Sequence, residues 1–268
     1  MEFKDCVVLI TGASSGIGQR LAIDLAGRGA IVIGCGRSRE RLEETLRGVR
    51  RASLDSTVMV CDVGNRAQVQ DMVSKILTQF GKIDVLVNNA GVGMRKPFVE
   101  TSLDIIDEIT RTNYLGMIYC THAVLPSMIA RGGGHIVNIS SGAGKIGALN
   151  MAAYCGSKFA MNGFSESLYH ELEPLGIHVS VICPGPVKTQ FNRAFADQPP
   201  KSPPALAISP EAVSQKVIKA IERRKFEVVT PRWLALICVI KRFMPNLFSA
   251  VSHRTFRPHV VAPKKTRP

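Results

Sequence analysis

What the chain lacks narrows it first. Seven cysteines are present (Cys6, Cys35, Cys61, Cys120, Cys155, Cys183, Cys238), but their number is odd, they are widely scattered, and no CxxC pair occurs. Several lie inside apolar runs, where a thiol behaves as a small hydrophobe, so a reducing, cytoplasmic setting is expected rather than a disulfide framework. The six histidines show no ligand spacing such as HExxH, and no metal site is expected. No apolar run reaches the roughly 18 to 20 residues that a spanning helix needs. The opening MEFKDCVVLITG passes directly into a strand pattern, so no signal peptide is expected.

Acidic residues are missing from one region altogether. From Arg232 to Pro268 there is no Asp or Glu but eight Lys and Arg, so this tail holds eight of the net +13 charges and leaves +5 on the preceding 231 residues. The basic excess is thus a property of the tail. The body shows no recognised nucleic-acid motif, and a basic run more often faces solvent or lipid, so no nucleic-acid partner is expected.

What is present reads as a globular protein: 46% of residues are apolar and 21% charged, enough for a sizeable core. Short β-branched runs at Cys6–Thr11, Ala30–Cys35, Thr57–Cys61, Val85–Asn88, His135–Ser140, His178–Ile182 and Phe226–Thr230 alternate with helical patterns. The latter fall at Ile17–Arg28, Arg39–Arg50, Arg66–Phe80, Leu103–Ile129, Ala153–Glu173 and Pro210–Arg223. Such alternation, with strands that are almost continuously hydrophobic, predicts an α/β fold: one doubly wound parallel sheet of about seven strands, covered by helices on both faces. Gly29, Gly81 and Gly176 stand where helices should end, and Ser209-Pro210 suits a helix start. Gln198–Pro204 (QPPKSPP) reads as an exposed loop. There are no internal repeats and no linker before residue 231, so the expectation is one domain over 1–231 and a basic, partly apolar extension over 232–268.

The first strand runs into Thr11-Gly12-Ala13-Ser14-Ser15-Gly16-Ile17-Gly18 and then a helix. Glycines in such a turn let backbone approach a pyrophosphate, whose charge meets free N–H groups at the helix start. Together with Asn88-Asn89-Ala90-Gly91, Ser140-Ser141, Tyr154-Cys155-Gly156-Ser157-Lys158 and Pro184-Gly185, this turn matches in order and spacing the signature motifs of short-chain dehydrogenases/reductases. The chain resembles that family over about residues 4–230, and the resemblance implies a Rossmann-type sheet and a nicotinamide-dependent oxidoreductase.

Tyr154 and Lys158 are four residues apart near a helix start, so both project from one face. A neighbouring ammonium is expected to lower the phenol pKa and make Tyr154 a usable acid or base. The resemblance adds that Lys158 holds the nicotinamide ribose and that Ser141, thirteen residues before the tyrosine, orients the substrate oxygen; family spacing selects it over Ser140. Asn113 matches an asparagine that props a water beside the lysine, unless it is an incidental polar residue. Gly12, Ser14, Ser15, Gly16, Ile17 and Gly18 are implied for the pyrophosphate. Asp62 and Val63 resemble the adenine-binding pair, and Asn89, Ala90 and Gly91 the loop on adenosine. Pro184, Gly185, Val187 and Thr189 resemble the loop facing the nicotinamide.

Cofactor choice is argued at the end of the second strand. NAD-binding relatives carry an acidic residue there for the ribose 2′-hydroxyl. Here Gly36 is followed by Arg37 and Arg39, which leaves room and positive charge for a 2′-phosphate and favours NADP(H) over NAD(H). Alternatively the arginines are the solvated start of a helix. Function is expected as NADPH-dependent reduction of a ketone or aldehyde, plausible for a lipid-like one because Phe191, Phe195, Leu206 and Ile208 fall in the variable lid region. An alcohol dehydrogenase running in reverse and a non-catalytic dinucleotide sensor remain open, although a sensor needs none of Asn113, Ser141, Tyr154 and Lys158 as a set. A homo-oligomer is implied by resemblance alone. The run from Trp233 to Leu247, apolar with basic flanks and broken by Pro245, either contacts a membrane surface peripherally (over 232–257) or packs on its own domain or a partner subunit.

Overall fold

Alternate residues of the first strand, β1 (Val7–Thr11), leave the sheet in opposite directions, and both sets are apolar. Val8 and Ile10 enter one core with Leu21, Leu25, Leu42, Val213 and Val217. Val7 and Leu9 enter a second with Val69, Ile76, Cys120, Val124 and Leu168. A strand apolar on both sides must be covered on both sides, and that requirement sets the architecture.

The computed structural model describes residues 2–191 and 206–256. β1 is followed by β2 (Ile31–Gly36), β3 (Thr57–Val60), β4 (Val85–Asn88), β5 (Gly134–Ile139), β6 (Ile177–Pro184) and β7 (Glu227–Thr230), all paired in parallel in the order β3-β2-β1-β4-β5-β6-β7. One face carries α1 (Gly16–Ala26), α2 (Arg39–Arg50) and, later in the chain, α7 (Pro210–Glu222); the other carries α3 (Arg66–Phe80), α5 (Gly116–Ala130) and α6 (Ala152–Leu172). The strand order reverses between β1 and β4, and such a reversal opens a crevice at the C-terminal strand ends where ligands bind.

Local chemistry fixes the boundaries. Asn65 Oδ1 accepts from Gln68 N at 3.2 Å to start α3, and Gly81, with φ +73°, ends it. Ser209 Oγ accepts from Ala212 N at 3.2 Å before Pro210 at the start of α7. Gly176 is left-handed as expected but closes a short 3-10 turn after α6, and Gly29 lies beyond the actual cap of α1, Gly27.

One expectation changes. The long helix foreseen over Leu103–Ile129 is two, α4 (Leu103–Thr110) and α5, joined by one π turn at Arg111–Leu115. That wider turn accommodates Asn113, which is fully buried and hydrogen-bonded away from the helix. In the extension beyond Pro231, α8 (Arg232–Phe243) packs back on β7, buries Leu234, and leads into α9 (Pro245–Phe256). Gln198–Pro204 and Phe195 lie outside the described residues. Of the lid region, Ile208 bridges Val187 and Leu206 is 40% exposed.

Candidate active site

The loop between β1 and α1 closes tightly because glycine stands where nothing else fits. Gly12 has φ +66°, and a Cβ there would lie 2.8 Å from Ala90 Cα; a Cβ on Gly18 would approach the Gly12 carbonyl oxygen to 2.4 Å. Asn89 fastens the loop from the neighbouring strand end, its Nδ2 donating to the carbonyls of Thr11 (2.9 Å) and Gly12 (3.0 Å). Thr11 Oγ1 in turn accepts from the amides of Asn89 and Ala90, each at 3.0 Å. Ser15, at the N-cap of α1, makes no side-chain capping bond, so the loop presents a helix N-terminus to the crevice. Those amides and their dipole suit a pyrophosphate.

A cavity of about 650 Å3 runs from this loop along the strand ends. Every residue given a cofactor or catalytic role above lines it, except Gly18, Arg39 and Asn113. Arg41, not Arg39, reaches the wall beside Gly36, Arg37 and Ser38, and none of these described lining residues at the end of β2 is acidic. Arg37 itself meets Glu108 at 3.5 Å, with both side chains more than half exposed, a pair that contributes little. Asp62 lines the same end and steadies its own turn, its Oδ1 accepting from Gly64 N at 3.0 Å.

At the opposite end Tyr154 and Lys158 project from the first turns of α6, both buried. Ser141 follows β5, lines the cavity, accepts from Ala143 N at 3.1 Å and shares a hydrogen bond with the Tyr154 phenol. Ser140 also lines the cavity, but its Oγ donates to the Lys158 carbonyl at 3.4 Å. Lys158 Nζ donates to the Ile139 carbonyl at 2.8 Å and lies 6.0 Å from the centre of the Tyr154 ring. Asn113 stands behind this pair. Its Oδ1 accepts from Val92 N and its Nδ2 donates to Val92 O, each at 2.8 Å, and Nδ2 also donates to Ser157 Oγ at 3.0 Å. It therefore fixes the loop after β4 against α6 without touching the cavity. A Cβ on Gly91 would come within 3.3 Å of Asn113 Oδ1 and 3.9 Å of Lys158 Nζ, which shows how closely the loop passes.

Burial dominates the protonation of both groups. The Tyr154 phenol is pushed up to about 12 by burial, with the Ser141 hydrogen bond pulling weakly the other way. Burial pulls Lys158 down to about 8. The expected lowering of the phenol by the neighbouring ammonium is not found: burial raises it, and what pulls it down is the hydrogen bond with Ser141. Tyr154 keeps its proton at neutral pH, which suits a donor.

Sequence reasoning missed several lining residues. Met151 stands three residues before Tyr154 and could have been placed by its approach to α6, whereas Arg95, Ala148 and Leu234 carry no pattern of their own. Leu234 enters from the extension: a Cβ on Gly142 would lie 2.7 Å from its Cδ2, and one on Gly185 3.6 Å away. Among the described residues no group of three or more His, Cys, Asp or Glu is placed to hold a metal ion.

Comparison with known proteins adds to this geometry. The family model described as short chain dehydrogenase matches residues 6–200. Dehydrogenase/reductase SDR family member 7B of Danio rerio is 37% identical over 240 residues, covering 85% of this chain and 78% of that protein. Epidermal retinol dehydrogenase 2 of Mus musculus is 32% identical over 243 residues, covering 89% of this chain and 78% of that one. Among solved structures, a short-chain dehydrogenase/reductase from Burkholderia phymatum in complex with NAD superposes with a TM-score of 0.84 at 27% identity, covering 92% of this chain and 96% of its own.

Proposed function

The chain belongs to the short-chain dehydrogenase/reductase family of oxidoreductases, and from that premise we propose that it reduces a ketone or aldehyde, lipid-like in character, with NADPH as reductant and Tyr154 as proton donor. The observation that carries this reading is the convergence of Ser141, protonated Tyr154 and Lys158 at one end of a cavity whose other end is a glycine loop and helix N-terminus.

The residues fit a nicotinamide dinucleotide. Gly12, Gly16 and the start of α1 offer amides to the pyrophosphate; Asp62 and Val63 flank the adenine end; Pro184, Gly185, Val187 and Thr189 form the wall toward the nicotinamide. When bound, the cofactor supplies the hydride. The chain does the rest. Ser141 and Tyr154 hydroxyls hold the substrate oxygen, and as negative charge develops there the Tyr154 proton passes to it, giving the alcohol and leaving a phenolate. The nearby Lys158 ammonium stabilises that phenolate, and a proton from solvent restores it. Asn113 is a positioning residue that holds the loop after β4 and α6 in register.

NADPH rather than NADH is proposed because Gly36 and not an acidic residue ends β2 and the guanidiniums of Arg37 and Arg41 line the cavity there, Arg37 being held, among the described residues, only by an exposed pair with Glu108. The Burkholderia phymatum protein binds NAD, so this end of the cavity should distinguish the two chains. An apolar substrate is supported by Ala148, Met151, Phe191 and Leu234 on the walls near Tyr154.

The extension also supports peripheral contact with an anionic membrane surface. Leu236, Val239, Ile240 and Phe243 recur at helical spacing on the outer side of α8 and are 38–76% exposed, and Leu247 and Val251 continue the patch on α9. No single described helix is long and apolar enough to cross a membrane, and the α8–α9 pair bends by 120°. Arg232, Arg242 and Arg254 are exposed, while Lys241 is turned inward, its Nζ donating to the Lys145 carbonyl at 2.7 Å and lying 5.1 Å from the Phe159 ring.

The test of the enzyme reading is NADPH oxidation by the full chain against medium- and long-chain ketones and aldehydes, with NADH in parallel. Turnover that prefers NADPH is expected. Tight NADPH binding with no turnover across the panel would point instead to a dinucleotide sensor.

A further inference from the structure

Among the described residues, the reacting end of the cavity holds a charge that this mechanism does not use. Arg95, on the loop after β4, is half-buried and lines the cavity. Its Nη2 donates to Met151 Sδ at 3.5 Å, a weak acceptor, and no carboxylate pairs with it among the described residues. Met151 lies three residues before Tyr154, so the guanidinium sits at the catalytic end. Among the described residues that line the cavity, Asp62 is the acidic one, and it belongs to the adenosine end.

A guanidinium does not shed its proton in a protein. Burial disfavours the charge on Arg95, and a thioether returns little of the lost hydration. A ligand that brings an oxyanion would offset that cost with paired N–H···O bonds, the geometry for which arginine is shaped. The other cation nearby, Lys158, is committed to the Ile139 carbonyl beneath the Tyr154 ring. Among the described residues at this end, one cation without a charged partner matches one negative charge, hence a carboxylate rather than a doubly charged phosphate.

We propose that Arg95 binds a carboxylate of the substrate, so that the preferred substrates are oxo acids with an apolar body rather than neutral ketones or aldehydes. This rests on the reductase reading but is tested apart from it. Decanoate and methyl decanoate, neither of which is reducible as a ketone, are titrated into the full chain loaded with NADPH, with binding followed by the fluorescence of the bound nucleotide and by thermal unfolding.

Wild type is expected to bind decanoate at least about tenfold more tightly than the ester, the size of one charged hydrogen-bonded contact. Arg95→Met should abolish that preference while leaving NADPH affinity and ester binding unchanged, and Arg95→Lys should keep part of it. Equal affinity of wild type for acid and ester overturns the proposal, and that comparison does not depend on any variant folding. A preference that survives Arg95→Met overturns it as well. Turnover of a long-chain oxo acid and its methyl ester forms a separate arm. Reduction of both at the same kcat/KM removes the role of Arg95 and keeps the reductase. Reduction of neither removes the reductase reading, and the decanoate comparison then decides Arg95 alone.

Discussion

Tyr154 and Lys158 are held by burial toward their uncharged forms, and that places the site under tension with the stability of the fold. Lys158 loses its proton at about pH 8 in the folded chain against 10.5 for the free side chain. Between those values the unfolded chain binds more protons, so stability should rise as pH increases from about 8 toward 10. Tyr154 acts in the opposite sense above pH 10, because its folded value lies near 12. Replacing Lys158 with Met should remove the cost of a buried ammonium, on the order of 3 kcal/mol at neutral pH, less the lost bond to Ile139. The variant should therefore unfold at higher temperature than wild type at pH 7, lose the rise above pH 8, and lose turnover. A lower melting temperature than wild type throughout would refute the assignment of strain to Lys158. Tyr154→Phe should reduce turnover by about 10^2- to 10^4-fold, the usual contribution of a positioned proton donor, with NADPH affinity little changed. Retention of most activity would remove the donor role. Arg37→Ala should weaken NADPH while leaving NADH unaffected, read from the ratio of the two binding constants.

At the scale of elements, the strands were legible because burial on both faces writes itself as continuous Val, Ile and Leu, and the strand-turn-helix around Gly12–Gly18 because a close backbone approach demands glycine. The break in the long helix was not. Nothing in RTNYL announces a π turn; what creates it is a distant partner, the backbone of Val92, which takes both ends of the Asn113 amide. A sequence shows a polar residue in a helix but not the loop that will claim it. The same holds for Leu234 and Arg95, ordinary residue types whose meaning comes from which cavity they reach. Asn113→Leu should strand the Val92 N–H and C=O in the interior and destabilise by about 1–3 kcal/mol for each group left unpaired. Its melting temperature should fall while its pH profile keeps the shape of the wild type, since Asn113 acts through position alone. A shifted profile would instead bring the residue into the proton path.

For the whole molecule, charge is the organising quantity. The body carries +5 of +13 and the tail the rest, and among the described residues Arg232, Arg242 and Arg254 are exposed on the same two helices, α8 and α9, that carry the apolar patch. Association with vesicles containing anionic lipid should therefore require the tail and weaken as ionic strength rises, because exposed charges are screened within about 10 Å at 0.1 M salt. Flotation of the full chain with such vesicles, loss of flotation for a Phe243→Glu/Leu247→Glu variant, and partial release by salt are the expected results. Full-length protein left unbound at low salt would remove the membrane contact.

Leu234 and Phe243 leave opposite sides of the same twelve-residue helix, one lining the reaction cavity and the other 76% exposed. A transplant of residues 232–243 into a related chain would thus move two features as one cassette, a wall of the cavity and an exposed apolar face. Selection acting on either feature must pass through the other.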